Sequence, residues 1–211
     1  MKKILLVSLM ILLAVSVAFS QVGIRGGMNL GTIGGDDKTQ NGIDPTTKVG
    51  FTGGITYHIG LLFGLSIEPE VLYIQQGAIY EGSASYGGYS LSQKATFSSD
   101  YIDIPVLARF NFPMLVLSPY IEGGVAYSIL LSAKSKVETT TNIPGQTSGS
   151  TETDIKDHLS KSDVSLIVGV GVEFFMVEIN ARYILGMSKL DKDGLYKAYN
   201  RGIMLTAGLR F

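Results

Sequence analysis

The sequence contains no cysteine. Disulfides, thiolate zinc sites, cysteine nucleophiles and a lipid anchor through a cleaved cysteine are therefore excluded. Histidine occurs only twice, as His58 and His158, which leaves little material for metal or acid–base chemistry. No phosphate-binding loop, zinc spacing or EF-hand spacing is present. After the first twenty residues no run approaches the ~20 apolar residues of a spanning helix. Nor is there a basic excess. Residues 1–20 hold two lysines and no acid, so of 17 basic and 18 acidic residues 15 and 18 remain beyond them, a net of −3. No nucleic-acid partner is expected from that balance.

Among what is present, Met1–Ser20 has the form of an export signal. Lys2 and Lys3 form a positive start, Ile4 to Val17 an apolar stretch, and Ala18-Phe19-Ser20 a small-residue cleavage site. The expectation is a cleaved signal over 1–20 and one domain over 21–211. That domain is rich in turn-forming and ring-bearing residues, with 26 Gly, 11 Tyr and 9 Phe in the chain, a bias toward β structure.

Eight runs of about 9–11 residues alternate with a period of two, the mark of strands whose faces meet different solvents. In the first, Val22, Ile24, Met28 and Leu30 oppose Gly23, Arg25, Gly27 and Asn29. In the sixth, Val164, Leu166, Val168, Val170, Val172 and Phe174 oppose Ser165, Gly169, Gly171 and Glu173. In the eighth, Ile203, Leu205, Ala207, Leu209 and Phe211 oppose Met204, Thr206, Gly208 and Arg210. The connections between runs are alternately long and short. Gly31–Lys48, Ala78–Asp100, Ser132–Lys161 and Gly186–Gly202 are long and polar, whereas Gly60–Gly64, Asn111–Ser118 and Phe175-Met176 are short. This pattern predicts an all-β fold: an eight-stranded antiparallel up-and-down transmembrane β-barrel, with short periplasmic turns and long extracellular loops. Pro69 and Pro105 fall inside runs and call for a bulge or a local break in pairing.

The nearly charge-free apolar face is assigned to lipid. Tyr57, Phe110, Tyr120, Phe174 and Phe211 are expected in an aromatic belt near the short-turn rim, and Tyr73 and Tyr183 in one near the long-loop rim. A soluble lipocalin-like barrel would instead turn this face inward around a ligand. The small-residue, charged face then lines a narrow lumen. It carries His58 and a predicted ion network of Arg25, Glu68, Glu70, Asp103, Arg109, Glu122, Glu173, Glu178, Arg182 and Arg210, since buried single charges are too costly to stand alone. An eight-stranded barrel has room for side chains or a small ligand rather than a wide channel.

His158, with Ser160 and Asp163 nearby in sequence, reads as a solvated loop residue, so no catalytic, cofactor-binding or metal residue is assigned. Asp36-Asp37 and Asp191-Lys192-Asp193 read as turn formers. Tyr80, Tyr86 and Tyr89, with Phe97, form a candidate recognition surface in the second loop. The third loop, with Thr139-Thr140-Thr141 and Gly145 to Thr151, reads as mobile and of low complexity.

The segments Gly23 to Leu30, Glu68-Pro69-Glu70-Val71-Leu72-Tyr73 with Gln76-Gly77, Tyr101 to Val106, Glu122-Gly123-Gly124, Gly169 to Glu173, and Arg182-Tyr183 before Leu185-Gly186 together resemble the PorT-like outer-membrane β-barrel family, within the OmpA/OmpX-like small barrels. The resemblance covers residues 21–211 in order. It implies an eight-stranded barrel with periplasmic termini, places prolines such as Pro69 and Pro105 within its strands, and transfers no catalytic residue. The last strand, with Leu205, Ala207, Leu209 and the terminal Phe211, is similar to the C-terminal signal read by barrel-assembly machinery. Expected partners are therefore outer-membrane lipids, that machinery, and an unidentified protein or ligand at the extracellular loops. The functional expectation is a non-enzymatic barrel with a plugged lumen, acting in envelope structure or partner binding. The alternatives are a narrow porin-like channel and an outer-leaflet lipid-modifying enzyme.

Overall fold

The computed structural model describes residues 21–36, 39, 42–112, 114, 116–190 and 197–211. The export signal over 1–20, Asp37, and Asp191-Lys192-Asp193 lie outside the described residues. Ten strands follow in order: β1 (Val22–Gly34), β2 (Thr46–Tyr57), β3 (Ile59–Gly60), β4 (Leu65–Tyr86), β5 (Tyr89–Asn111), β6 (Ser118–Thr141), β7 (Gly149–Asp154), β8 (Ser162–Phe174), β9 (Val177–Gly186) and β10 (Tyr199–Arg210). The one described helical element is a single turn at Lys156–His158.

Each wall strand pairs antiparallel with its neighbour, and the sheet closes because β1 pairs with both β2 and β10 while β2 also pairs with β4. β3 continues β2 past His58 in the same register against β4, Ile59 opposite Ile67 and Thr56 opposite Glu70. The wall therefore has eight strands. β7 pairs with β6 beyond the wall.

Closure leaves no open edge in the wall, and its ladders carry local irregularities. One irregularity is where the prolines are. In the β4–β5 ladder Pro69 opposes Val106 and pairing resumes at Leu72 opposite Asp103, so the break runs between Pro69 and Pro105. Neither ring has an N–H to give, and the ladder skips the positions they would have supplied.

Side chains follow the predicted alternation with burial inverted relative to a soluble protein. Val49, Phe51, Ile55 and Ile179 are each more than half exposed on the outside, while Arg109 and Arg182 are at most 1 % exposed inside. That inversion is what a lipid solvent outside and a packed polar interior demand.

The lumen has two layers. Toward the short turns lie the charged side chains. Toward the long loops lies an apolar cluster of Leu72, Ile74, Tyr101, Leu107, Ala126, Leu130, Ala133, Ile167, Ile184 and Met204, with Ile155 and Leu159 packed against it. The charge-lined lumen expected from the sequence is thus only half of the interior.

Two of the long connections are more ordered than their composition implies. Residues 78–100 are mostly strand: β4 and β5 run past the wall as a hairpin turning at Gly87-Gly88. Both glycines have positive φ, 58° and 85°, as a two-residue hairpin turn requires. In the third loop, Thr139 to Thr141 belong to β6, and residues 149–154 form β7 against 134–139. The expectation of a mobile segment is corrected there. Threonine favours a pleated surface, and cross-strand pairs such as Lys134–Glu152 at 2.7 Å hold the register.

Candidate functional site

Nine of the ten predicted network residues meet near the short-turn rim, brought there by the inward parity of seven wall strands. Arg182, from β9, uses both edges of its guanidinium. Nε donates to Glu122 Oε1 at 2.6 Å and Nη2 to Glu122 Oε2 at 3.1 Å; Nη1 and Nη2 donate to the two Glu70 oxygens at 2.7 and 2.8 Å. Paired forks of this kind are the strongest ion-pair geometry available to arginine. Arg25, from β1, donates to Glu70 at 2.8 Å and to Glu178. Arg109, from β5, reaches Glu68 at 2.8 Å, Glu178 at 2.9 Å and Glu173 at 2.7 Å. Arg210 closes the lower edge on Glu173. His58 joins the network as well: Nδ1 lies 2.9 Å from Glu68 Oε1 and 3.1 Å from Arg210 Nη1.

Asp103 is the exception. It stands apart from every arginine of the network and takes a hydrogen bond from the Ser128 hydroxyl within the upper layer. Asp163 is also there, accepting from Asn200 Nδ2 at 3.1 Å and from the Ser188 amide at 3.2 Å. Asp103 shares the inward parity of the network, but it sits higher on its strand, level with the apolar cluster. Parity gave the face and could not give the height.

Tyr120 is a second correction. It does not belong to the outer belt; it is 1 % exposed inside the barrel, with the Arg109 guanidinium 3.4 Å from its ring centre. The stacked ring caps a cation already committed to three carboxylates, a favourable contact when desolvated. The remaining belt residues face outward, Phe174, Tyr183 and Phe211 among the well exposed.

Beyond the long-loop rim the hairpins have two unlike faces. Tyr80, Ala95 and Val137 are cross-strand neighbours on one, and Glu81, Lys94 and Glu138 on the other. On the second face Lys94 pairs with Glu81 and Lys136 with Glu138, each at 2.7 Å. The Lys134 ammonium beside Glu152 holds that carboxyl below its ordinary range, chiefly by direct hydrogen bonding. On the first face an apolar groove is lined by Ile43, Tyr80, Ala84, Leu91 and Val137.

The three candidate recognition tyrosines separate. Tyr80 is 5 % exposed and packs edge-on against Phe97 with centroids 5.7 Å apart, so it is part of the hairpin's base. Tyr86 and Tyr89 pair across the turn at the tip and are exposed. Asn142 ties this tip to the end of β6, accepting from the Ser90 amide and donating to the Gly88 carbonyl.

His158, Ser160 and Asp163 do not form a catalytic group. Ser160 gives its hydroxyl proton to the Lys189 carbonyl, Asp163 is buried beneath Ser188 and Asn200, and His158 is exposed on its helical turn.

The closed eight-stranded wall with lipid-facing apolar residues agrees with a family model described as the outer membrane protein beta-barrel domain, which matches residues 16–192. The chain belongs to this family. It is accordingly an outer-membrane β-barrel protein. No curated protein matches the sequence significantly. Solved structures similar to it include Ail, the attachment invasion locus protein of Yersinia pestis, in complex with the heparin analogue sucrose octasulfate. That chain is 18% identical with TM-score 0.40, covering 90% of this chain and 98% of Ail. Neisserial surface protein A is 12% identical with TM-score 0.42, over 90% and 97% of the two chains. The N-terminal β-barrel domain of Pseudomonas aeruginosa OprF is 13% identical with TM-score 0.34, over 90% and 97%.

Proposed function

We propose that this outer-membrane barrel is a non-enzymatic, sealed protein that serves the envelope through its wall and its extracellular hairpins. The carrying observation is the filled cross-section. Arg109, Ile74, Leu107 and Ile167 are all fully inaccessible, so the ionic layer and the apolar layer close the lumen in series. A hydrated path would need accessible polar groups through both layers, whereas Asp103, Ser128, Asp163 and Asn200 in the upper layer are buried and hydrogen-bonded beside the apolar cluster. The dispersal of His158, Ser160 and Asp163 supports the non-enzymatic part. The exposed Tyr86 and Tyr89 at the hairpin tip support partner contact, since tyrosine offers a large amphipathic ring at low entropic cost.

Planar bilayers test the sealed lumen. The expected outcome is no steady single-channel conductance from the folded protein. Steady conductance that Arg182→Ala or Glu70→Ala abolishes would overturn the proposal in favour of a channel. Two finer readings belong to the same proposal. Residues 1–20 act as the cleaved export signal, leaving Gln21 first, which mass measurement of envelope-extracted protein checks. The chain is a PorT-like member of the outer-membrane barrels, on the motif series from Gly23 to Gly186.

A further inference from the structure

The periplasmic rim carries an unusual surface. All three short turns end in large exposed apolar side chains: Leu61, Leu62 and Phe63 between β3 and β4; Phe112, Met114, Val116 and Leu117 between β5 and β6; Phe175 and Met176 between β8 and β9. None of the residues 59–65, 110–119 or 174–177 is Asp, Glu, Lys or Arg. Phe63 is 89 % exposed and Phe175 79 % exposed, the extremes of the three turns. Both also have positive φ, 61° and 54°, a left-handed conformation that crowds the Cβ of a bulky residue against its own backbone. Turn tips meant for water would use glycine or asparagine there.

The height of the wall says what covers these rings. A strand rise of about 3.3 Å at a tilt of about 40° advances about 20 Å along the barrel axis in eight residues. The outward apolar stretches of β4 (Leu65 to Tyr73), β9 (Val177 to Leu185) and β10 (Ile203 to Phe211) are each that long, whereas those from Val49 to Ile59, of β6 (Ile121 to Leu131) and of β8 (Val164 to Phe174) run ten residues, about 25 Å. The lipid-facing band of a membrane barrel is about 25 Å tall. Above the stretches of β4 and β10 the outward face turns polar, with Gln75 and Arg201, so on these two strands the remaining height lies below. The backbone of Leu61 and Leu62 is hydrogen-bonded to Leu65, Phe112 packs edge-on against Phe110 with centroids 4.9 Å apart, and Phe175 packs edge-on against Phe174 at 4.6 Å. The turn surface is continuous with the lipid belt.

We propose that the three short turns are inserted in the acyl-chain boundary of the periplasmic leaflet, with Phe63 and Phe175 as its lowest lipid contacts. The partner is the lipid of that leaflet.

The chain has no tryptophan, so single-tryptophan variants report depth without background. Phe63→Trp and Phe175→Trp are folded into phosphatidylcholine vesicles whose acyl chains carry bromine, with folding checked by the heat-modifiable gel shift. Val168→Trp in mid-belt and Tyr86→Trp at the extracellular tip are the references. The expected result is blue-shifted emission from both turn variants, quenched by the brominated chains like the mid-belt reference and shielded from aqueous iodide. Emission matching Tyr86→Trp, with iodide quenching, would overturn the proposal and leave the turns as a periplasmic docking surface for protein. A split result between the two turns overturns it too. Should either variant not fold, Leu62→Trp, whose φ is not in the left-handed region, replaces it for the first turn and Met176→Trp for the third.

Discussion

At the residue scale the lumen is decided by which charges are left without a partner. Arg182 holds Glu70 and Glu122 together with four hydrogen bonds inside a closed wall. Replacing it by methionine keeps the volume and removes the charge, stranding Glu122 beside Glu70. The loss expected for breaking one side of a buried pair is roughly 3–5 kcal/mol. Denaturant unfolding in detergent measures it; an unchanged midpoint would mean that the inner face is wet. Gly54 makes a comparable point about space. A Cβ there would stand 2.0 Å from the Val71 carbonyl oxygen, so Gly54→Ala must push apart β2 and β4 and should lower the unfolding free energy, read in the same experiment, by about 1–3 kcal/mol. Much of this was legible beforehand. Strand parity alone placed nine of the network residues together, and the same parity, applied to Tyr120 beside the outward Ile121, puts its ring inside. The signal for the apolar layer was present as well: Leu72, Ile74, Leu107, Ile167, Ile184 and Met204 all occupy inward positions. Met204 already stood on the inward face of its run, but that these six side chains gather in one layer depends on strand stagger, which no single run shows. The height of Asp103 was not legible, because strand tilt and ladder stagger are properties of the closed sheet rather than of any one run.

At the element scale, the wall strands were readable and the extracellular extensions were not. Alternation persists from Leu65 to Tyr86, but its face changes partner midway, from lipid and lumen to groove and water. A glycine- and serine-rich composition then looks like loop even where a ladder continues. The β6–β7 hairpin is the clearest case, held by pairs at exposed positions that contribute little individually. Glu152 carries a lowered pKa through Lys134, so its contribution is present above the usual carboxylate range and is lost as pH falls through the lowered value. Protease nicking at residues 142–148 should therefore rise on acidification below that range, and with added salt near neutrality. Removing residues 139–151 should leave barrel formation intact, because the β6–β8 ladder runs from Ser118 to Ile129 and does not include them. Loss of the heat-modifiable shift in that deletion would show that the hairpin helps to build the wall.

At the scale of the whole molecule, the seam deserves the most weight. β1 and β10 are paired through twelve positions, from Gly23 opposite Arg210 to Gly34 opposite Tyr199. Deleting Phe211, whose amide donates to the Val22 carbonyl at 3.0 Å, should lower outer-membrane assembly more than any loop change, measured as the heat-resistant fraction in isolated membranes. Normal assembly without it would show that the seam closes without that hydrogen bond. The seam also sets an order of events in time. Its two strands are the most distant in sequence, so closing it costs the largest loop entropy in the molecule, and no earlier ladder can substitute for it. Until β10 is in place, β1 offers a bare hydrogen-bonding edge and the charged interior stands open on that side. In refolding, gain of β structure should precede heat resistance, with the interval between them reporting closure of the ring.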